Sequence, residues 1–388
     1  MTRLPPFGTP AWLEAEHCGL HGAVEGEAAP SPVAPPLDRT TTWAFKDREG
    51  VRAAMFDASP GRFYPRYGHP SLIGLEAELA RLEGAEACLA FASGMAAIAA
   101  VPFGLLDQGG KYAYAAACYG GTHALASQLR RFGIEALRFD AFELDAFDRV
   151  LDSGATLIHV ESPVNPTGRQ LDLEAIVARV AGRAILCCDG TLLPPPLQRP
   201  LEYGFDLVLH SATKFLGGHS DILAGVVSGR LEWIVKIEKW RRTSGGILGP
   251  DEAWLLRRSL ATLELRARPQ NDVARALATW LAADPRVERV HYPFERSPAG
   301  ALVTFECRGG EAAMTRVYDA LRVVRRAVSL GGVESLASIP IDTSHVMYSD
   351  EDFATLGFAR HALRLSVGLE GLEVLRQDLD EALSASSG

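Results

Sequence analysis

Lys214 leaves the apolar run DLVLHS (206–211) flanked by Ser211 and Thr213, with Gly217 and Gly218 just beyond. An amine at the end of a buried strand is desolvated and therefore nucleophilic. Hydroxyls beside it can bind a phosphate, so the segment suits a Schiff base to pyridoxal phosphate. Taken alone, it is equally a surface loop carrying a lysine. Asp189 closes the run AILCCD (184–189), 25 residues earlier. A carboxylate there favours the protonated form of a pyridine nitrogen, and its plainer reading is an aspartate opening the loop from Gly190 to Pro196. Ser93, Gly94 and Met95 follow the run ACLAF (87–91) and open an alanine-rich helix. Backbone N–H groups at a helix start, beside a small residue, make an anion site, although small residues are also common there for steric reasons. Tyr119-Gly120-Gly121 can lay a phenol against a flat ring or simply turn the chain.

Positioning these residues requires a sheet. Between Glu86 and Gly229 the short apolar runs ACLAF, TLIHVE (156–161), AILCCD, DLVLHS and LAGVVS (223–228) alternate with amphipathic segments. That pattern predicts an α/β domain whose largely parallel sheet is buried on both faces and binds ligands at its strands' carboxyl ends. Ala87 to Leu106 runs twenty residues without a charge, long enough for a membrane helix. Its alanine content, with Ser93, Gly94, Pro102 and Gly104 within it, favours a buried strand running into a helix.

The first sixty or so residues carry Pro and Gly clusters without sustained periodicity and read as an extended arm, residues 1–63. A large α/β domain is expected over 64–250, and a linker helix with a smaller α+β domain over 251–388. Leu256, Leu260, Leu263 and Ala267 mark an amphipathic helix that Pro269 should kink or interrupt, with a second helical stretch through Val273, Leu277 and Leu281. Alternation of Val303, Phe305 and Cys307, and of Leu363, Leu365 and Val367, predicts two strands of the last domain.

The chain has 388 residues, 47% of them apolar and 22% charged, with Gly 37 and Pro 23, which fits a multidomain globule and excludes a disordered chain. A net charge of −9 leaves no excess of basic residues for nucleic acid or an anionic membrane. Six cysteines are scattered without CxxC spacing, so a reducing cytoplasm is expected and no metal site. The opening MTRLPPFGTP has no signal-like apolar run.

Eight motifs in order, YPRYGHP (64–70), ASGMAAI (92–98), CYGGT (118–122), ESPVNPTG (161–168), CDGT (188–191), LQRPLEYGFDLVLHSATKFLGGHSD (197–221), SLGGVESL (329–336) and LRLSVGLE (363–370), make the chain resemble the pyridoxal-phosphate enzymes of cysteine and methionine metabolism. That family contains cystathionine γ-synthase, cystathionine γ-lyase, methionine γ-lyase and their sulfhydrylase relatives. The resemblance implies a fold-type I α/β transferase with a seven-stranded, mostly parallel sheet, and elimination or replacement at Cγ of a sulfur amino acid or activated homoserine ester. An aminotransferase is the rival within the cofactor class, and a non-catalytic binding protein the rival outside it.

By the same resemblance, Lys214 anchors the cofactor and carries protons, Asp189 faces the pyridine nitrogen, and Tyr119 covers the ring and serves as acid or base at the leaving group. Ser93, Gly94, Met95, Ser211 and Thr213 hold the phosphate, with Asn165 beside the cofactor. Ser329 and Arg364 bind the substrate α-carboxylate. Tyr64 and Arg66 reach the neighbouring subunit's phosphate, which implies a homodimer or homotetramer taking a small amino-acid substrate.

Several positions depart from the family pattern. His69 and Gly190 stand where Asn is usual, the segment after Pro293 is short, and Pro269 is unexpected in a domain-linking helix. Val328 replaces the acidic residue expected before SLGG in cystathionine enzymes, Ala124 replaces an arginine expected in γ-lyases, and Gly121 replaces the cysteine of methionine γ-lyases. These changes favour a substrate with a small or apolar far end, unless His123 or Arg130 supplies a polar contact.

Overall fold

The computed structural model describes residues 33–55, 61–344, 346, 348, 353, 356 and 358–385 together with 357. Residues 1–32, including Cys18 and half of the expected arm, lie outside the described residues.

Twelve strands are described: β1 Ala87–Phe91, β2 Lys111–Ala115, β3 Glu135–Phe139, β4 Leu157–Glu161, β5 Ile185–Asp189, β6 Leu207–His210, β7 Gly225–Gly229, β8 Val287–His291, β9 Leu302–Cys307, β10 Arg325–Arg326, β11 Leu336–Ser338 and β12 Leu363–Ser366. The first seven form one sheet in the order β1-β7-β6-β5-β4-β2-β3. β7 pairs antiparallel with both β1 and β6, and the remaining pairs are parallel. β4 is buried along its whole length, as a central strand covered by helices on both faces must be. Five of these strands fall on the apolar runs. β2 (KYAYA) and β3 (EALRF) are additional, because their charged and aromatic residues break the apolar signal.

The second sheet has the order β10-β11-β12-β9-β8 and packs its core against the helices Gly310–Ala320 and Leu372–Ser384. Both strands expected from alternation are present as β9 and β12, yet every residue of each is buried. Their second face meets the large domain, and Thr304 on β9 donates its hydroxyl to the Pro166 carbonyl at 2.6 Å.

Two expectations are corrected, on the arm and on Pro269. The segment read as arm contains the helix Arg48–Met55, started by Asp47, whose carboxylate accepts the Gly50 N–H at 2.8 Å. Pro269 does not break its helix: Leu263–Ala283 is continuous, and the carbonyl that lacks a donor belongs to exposed Leu265. The break falls earlier, at Ala261 and Thr262, separating Pro250–Leu260 from Leu263–Ala283. As the sequence favours, residues 87–106 are a strand and a helix, and among the described residues no helix is long and apolar enough to cross a membrane.

Candidate active site

The carboxyl ends of β1, β2, β4, β5 and β6 converge on one cavity of about 420 Å³, lined also by the small domain. Of the residues expected to act, Ser93, Gly94, Met95, Tyr119, Asn165, Asp189, Ser211, Thr213, Lys214, Ser329 and Arg364 line it. Tyr64 and Arg66 do not; Arg66 donates to the Arg242 carbonyl at 2.8 Å and stacks on Tyr67, while Tyr64 is exposed.

At the end of β1, Ser93 caps the helix Gly94–Leu105 by accepting the Ala96 N–H at 3.1 Å. Gly94 and Met95 begin that helix, and the first N–H groups of a helix point outward without intrahelical acceptors. A Cβ on Gly94 would lie 2.8 Å from the Ser211 hydroxyl, so glycine is what lets the turn and that hydroxyl share one anion cradle. Thr213 is differently placed than its type alone implies, because its hydroxyl donates to the Ala224 carbonyl at 3.1 Å and accepts the Ala224 N–H at 3.0 Å.

Asp189 ends β5 and accepts the Thr191 hydroxyl at 2.5 Å and the Thr191 N–H at 3.0 Å. The same hydroxyl accepts the Ser211 N–H at 2.8 Å, tying the Asp189 turn to the Lys214 turn. Glu161 ends β4 in register with Asp189 and accepts the N–H groups of Tyr119 at 2.7 Å and Asn165 at 3.1 Å. Burial raises both carboxyls above their usual range, and for Glu161 the adjacent Asp189 adds to the shift. A cation facing this pair relieves the repulsion, which is the chemistry a protonated pyridine ring brings.

The Lys214 amine donates to the Ser329 hydroxyl at 2.6 Å. Burial, and secondarily the Arg364 charge, lowers its pKa to about 8. Arg364 is only 3% exposed and donates to Asn165 Oδ1 at 3.1 Å and to the Ser329 carbonyl at 2.8 Å. Its Nε is buried with no hydrogen-bond partner. Burial lowers its pKa to about 10, so it stays cationic at neutral pH. A guanidinium held by neutral acceptors, with a donor left over, is a carboxylate site. Ser329 is held at φ 84, a left-handed conformation that costs a non-glycine residue about 1 kcal/mol or more. The donor set and the Gly94 cradle thus fit a phosphorylated pyridine aldehyde bearing an amino acid.

This chain belongs to the Cys/Met metabolism PLP-dependent enzyme family. The family profile matches residues 18–384. An L-methionine gamma-lyase from Pseudomonas putida is 37% identical, with 99% of each chain covered. An O-succinylhomoserine sulfhydrylase from Pseudomonas aeruginosa is 35% identical over 90% of each. The crystal structure of a cystathionine gamma synthase from Xanthomonas oryzae pv. oryzae superposes with a TM-score of 0.88 at 31% identity, covering 96% of this chain and 98% of that one. The chain is a fold-type I enzyme, its cofactor is pyridoxal 5'-phosphate, and its chemistry is that of the γ-elimination and γ-replacement group.

The departures have local explanations. His69 caps the helix Pro70–Glu83 through Nδ1, accepting the Leu72 N–H at 3.2 Å as an Asn would, and its Nε2 bonds the Leu248 carbonyl at 3.0 Å. Gly190 packs against His210, whose Cε1 a Cβ would approach to 2.9 Å. Neither His123 nor Arg130 lines the cavity; His123 bonds the Tyr114 hydroxyl at 3.1 Å. Glu161 and Thr191 are site residues that sequence reasoning missed. Both stood inside quoted motifs, and Glu161 ends an apolar run as Asp189 does.

Proposed function

We propose that this enzyme eliminates or replaces the γ-substituent of methionine, homocysteine or an acylated homoserine, with Lys214 as proton carrier and Arg364 as carboxylate anchor. What carries this reading is the Lys214–Ser329–Arg364 cluster, in which a largely buried amine lies beside an arginine with an unused, buried donor. Pyridoxal phosphate supplies an aldehyde for the substrate amine and an electron-accepting ring. Among the residues lining the cavity, the Gly94 and Met95 N–H groups and the Ser211 hydroxyl would hold its phosphate, Asp189 would face the ring nitrogen, and Asn165 and Tyr119 would flank the ring.

Arg364 orients the substrate by its carboxylate, which sets Cα within reach of Lys214. The neutral Lys214 amine takes the α-proton and gives it up again, and the amine so freed takes a β-proton as the γ-substituent leaves carrying the proton of the Tyr119 phenol. Leu223, Val328 and Leu330 give the cavity an apolar stretch beside Thr343 and Ser344, and Val328 is 65% exposed. A second amino-acid head group there leaves polar atoms unpaired, at about 1–3 kcal/mol each. Gly121 leaves room for Met95 Sδ and the Tyr119 ring, which a Cβ would meet at 2.5 Å, so the ring leans where other side chains would stand.

The arm and Tyr64 with Arg66 are taken to serve a partner copy, making a homodimer the smallest active unit and a homotetramer its assembly, in the cytoplasm, where buried free thiols such as Cys187 and Cys188 stay reduced. Comparing kcat/KM for methionine, O-acetylhomoserine and cystathionine on one preparation tests the substrate assignment. A clear preference for cystathionine refutes the argument from these apolar lining residues.

A further inference from the structure

The helix Leu263–Ala283 belongs to both domains. Leu263 and Ala267 sit in the core with Ala212, Leu216 and Ile222 beside the Lys214 turn, whereas Ala274, Leu277, Ala278 and Leu281 sit in the core of the small domain. Among the buried polar side chains of this helix, which include Asn271, two stand one turn apart where the apolar stretches meet. Arg266, 4% exposed, donates from Nη1 to the Phe215 carbonyl at 2.8 Å and from Nη2 to the carbonyls of Leu216 at 3.3 Å and Ser259 at 3.0 Å. Among the described residues no carboxylate pairs with it. Gln270, 1% exposed, donates from Nε2 to the carbonyls of Gly332 at 2.7 Å and Val367 at 3.0 Å.

Four of these five carbonyls belong to the segments that carry the site residues, the fifth, that of Ser259, lying at the end of the helix Pro250–Leu260. Those of Phe215 and Leu216 follow Lys214 directly, that of Gly332 belongs to the loop carrying Ser329, and that of Val367 comes just after β12, which carries Arg364. The Lys214 turn and the Ser329 loop also touch each other, the Val333 N–H donating to the Gly218 carbonyl at 2.9 Å. Gly218, at φ 70, permits this: a Cβ there would lie 1.9 Å from Arg266 Nη1. Burying an arginine without a counter-charge costs several kcal/mol unless hydrogen bonds offset it. A sequence needing only a domain linker would place an apolar residue there.

We propose that Arg266 and Gln270 are positioning residues that, from one rigid helix, set the spacing between Lys214 on the large domain and Ser329 with Arg364 on the small one. This rests on the roles proposed for those three residues. Arg266 acts on the proton carrier and Gln270 on the carboxylate anchor, so their losses separate kinetically. Misplacing a proton-transfer group by a fraction of an ångström lowers kcat, whereas loosening the carboxylate anchor raises KM.

The test uses Arg266→Gln and Gln270→Met in the holoenzyme, with activity normalised to bound cofactor. Arg266→Gln is expected to lower kcat about tenfold or more with little change in KM, and Gln270→Met to raise KM about tenfold with little change in kcat. Amide hydrogen exchange supplies a readout independent of turnover: in Arg266→Gln the N–H groups of Gly217 and Gly218, which bond the Ala212 and Lys214 carbonyls, exchange faster while the helix Pro70–Glu83 does not. If Arg266→Gln does not fold, Arg266→Lys, which keeps the charge and one donor, takes its place and shows the same direction at smaller size. Normal kcat and KM per loaded site in both variants, with only a lower melting temperature, overturns the proposal. A wild-type protein without a borohydride-sensitive cofactor absorption band overturns instead the role of Lys214 on which it rests.

Discussion

Lys214 is the group whose chemistry depends most on its surroundings, and its ionisation can be measured directly. Burial first, and the Arg364 charge second, bring its pKa from 10.5 to about 8. Near pH 7.5 this leaves roughly a quarter of the amine neutral, against roughly one part in a thousand at the ordinary lysine value, a gain of about two hundredfold in nucleophile. The chain carries five lysines, Lys46, Lys111, Lys214, Lys236 and Lys239, so peptide mass spectrometry resolves each one. Cofactor-stripped protein treated briefly with an amine-acylating reagent at graded pH should show Lys214 labelling with a midpoint near pH 8. Comparing midpoints rather than rates removes the effect of limited access. Arg364→Gln removes the second cause and leaves the first, so the midpoint should rise by a fraction of a unit to about one unit yet stay below the ordinary value. The sign for stability follows: the unfolded chain binds more protons than the folded one between about pH 8 and 10.5, so this lysine's contribution to stability of the stripped protein rises with pH across that window. A Lys214 midpoint near pH 10.5 would mean a hydrated amine and refute the reasoning.

Lys214→Ala should keep the fold, judged by circular dichroism and melting temperature, while turnover falls by at least about 10³-fold, since anchor and proton carrier are lost together; near-normal turnover contradicts the mechanism. Mixing inactive Arg66→Ala with inactive Lys214→Ala under subunit exchange should restore up to about a quarter of wild-type activity, because half of randomly formed dimers contain one intact shared site; confirmed exchange without recovery places Arg66 in its own subunit's service. Arg364→Ala should lower kcat/KM by about 10²-fold or more, mostly through KM, as charge-assisted bonds to the carboxylate are lost. Gly218→Ala, by urea denaturation, should cost about 2 kcal/mol or more, since it combines a left-handed backbone with displacement of the Arg266 guanidinium.

Much of the molecule is legible along the chain. Five strands of the large sheet, two of the small one, and eight residues of the cavity fall where their local patterns put them, because a buried strand writes its apolar run, and the residue ending it, into consecutive positions, whereas Asn165, Ser329 and Arg364 were placed by the family resemblance. β2 and β3 escaped because Lys111, Tyr112 and Tyr114, or Glu135 and Arg138, break that run, and the helix Arg48–Met55 because eight residues with one buried position carry too little periodicity. Pro269 misled because a proline's effect on a helix depends on whether the freed carbonyl meets solvent, and only packing shows that Leu265 faces outward.

What the tertiary structure alone decides is which polar groups meet. Lys214 and Ser329 are 115 residues apart, Arg364 and Asn165 are 199 apart, and Gln270 reaches carbonyls 62 and 97 residues away. Sequence shows the chemistry each side chain can do, since that belongs to the residue and its immediate neighbours. Whether Glu161 stands as the second carboxylate beside Asp189, whether Arg364 keeps a free donor, and whether the Lys214 amine is dry enough to be half neutral at about pH 8 depend on desolvation and on partners that folding brings from elsewhere. Local patterning sets where an element lies, whereas the charge state of a group in the site is a property of everything packed around it.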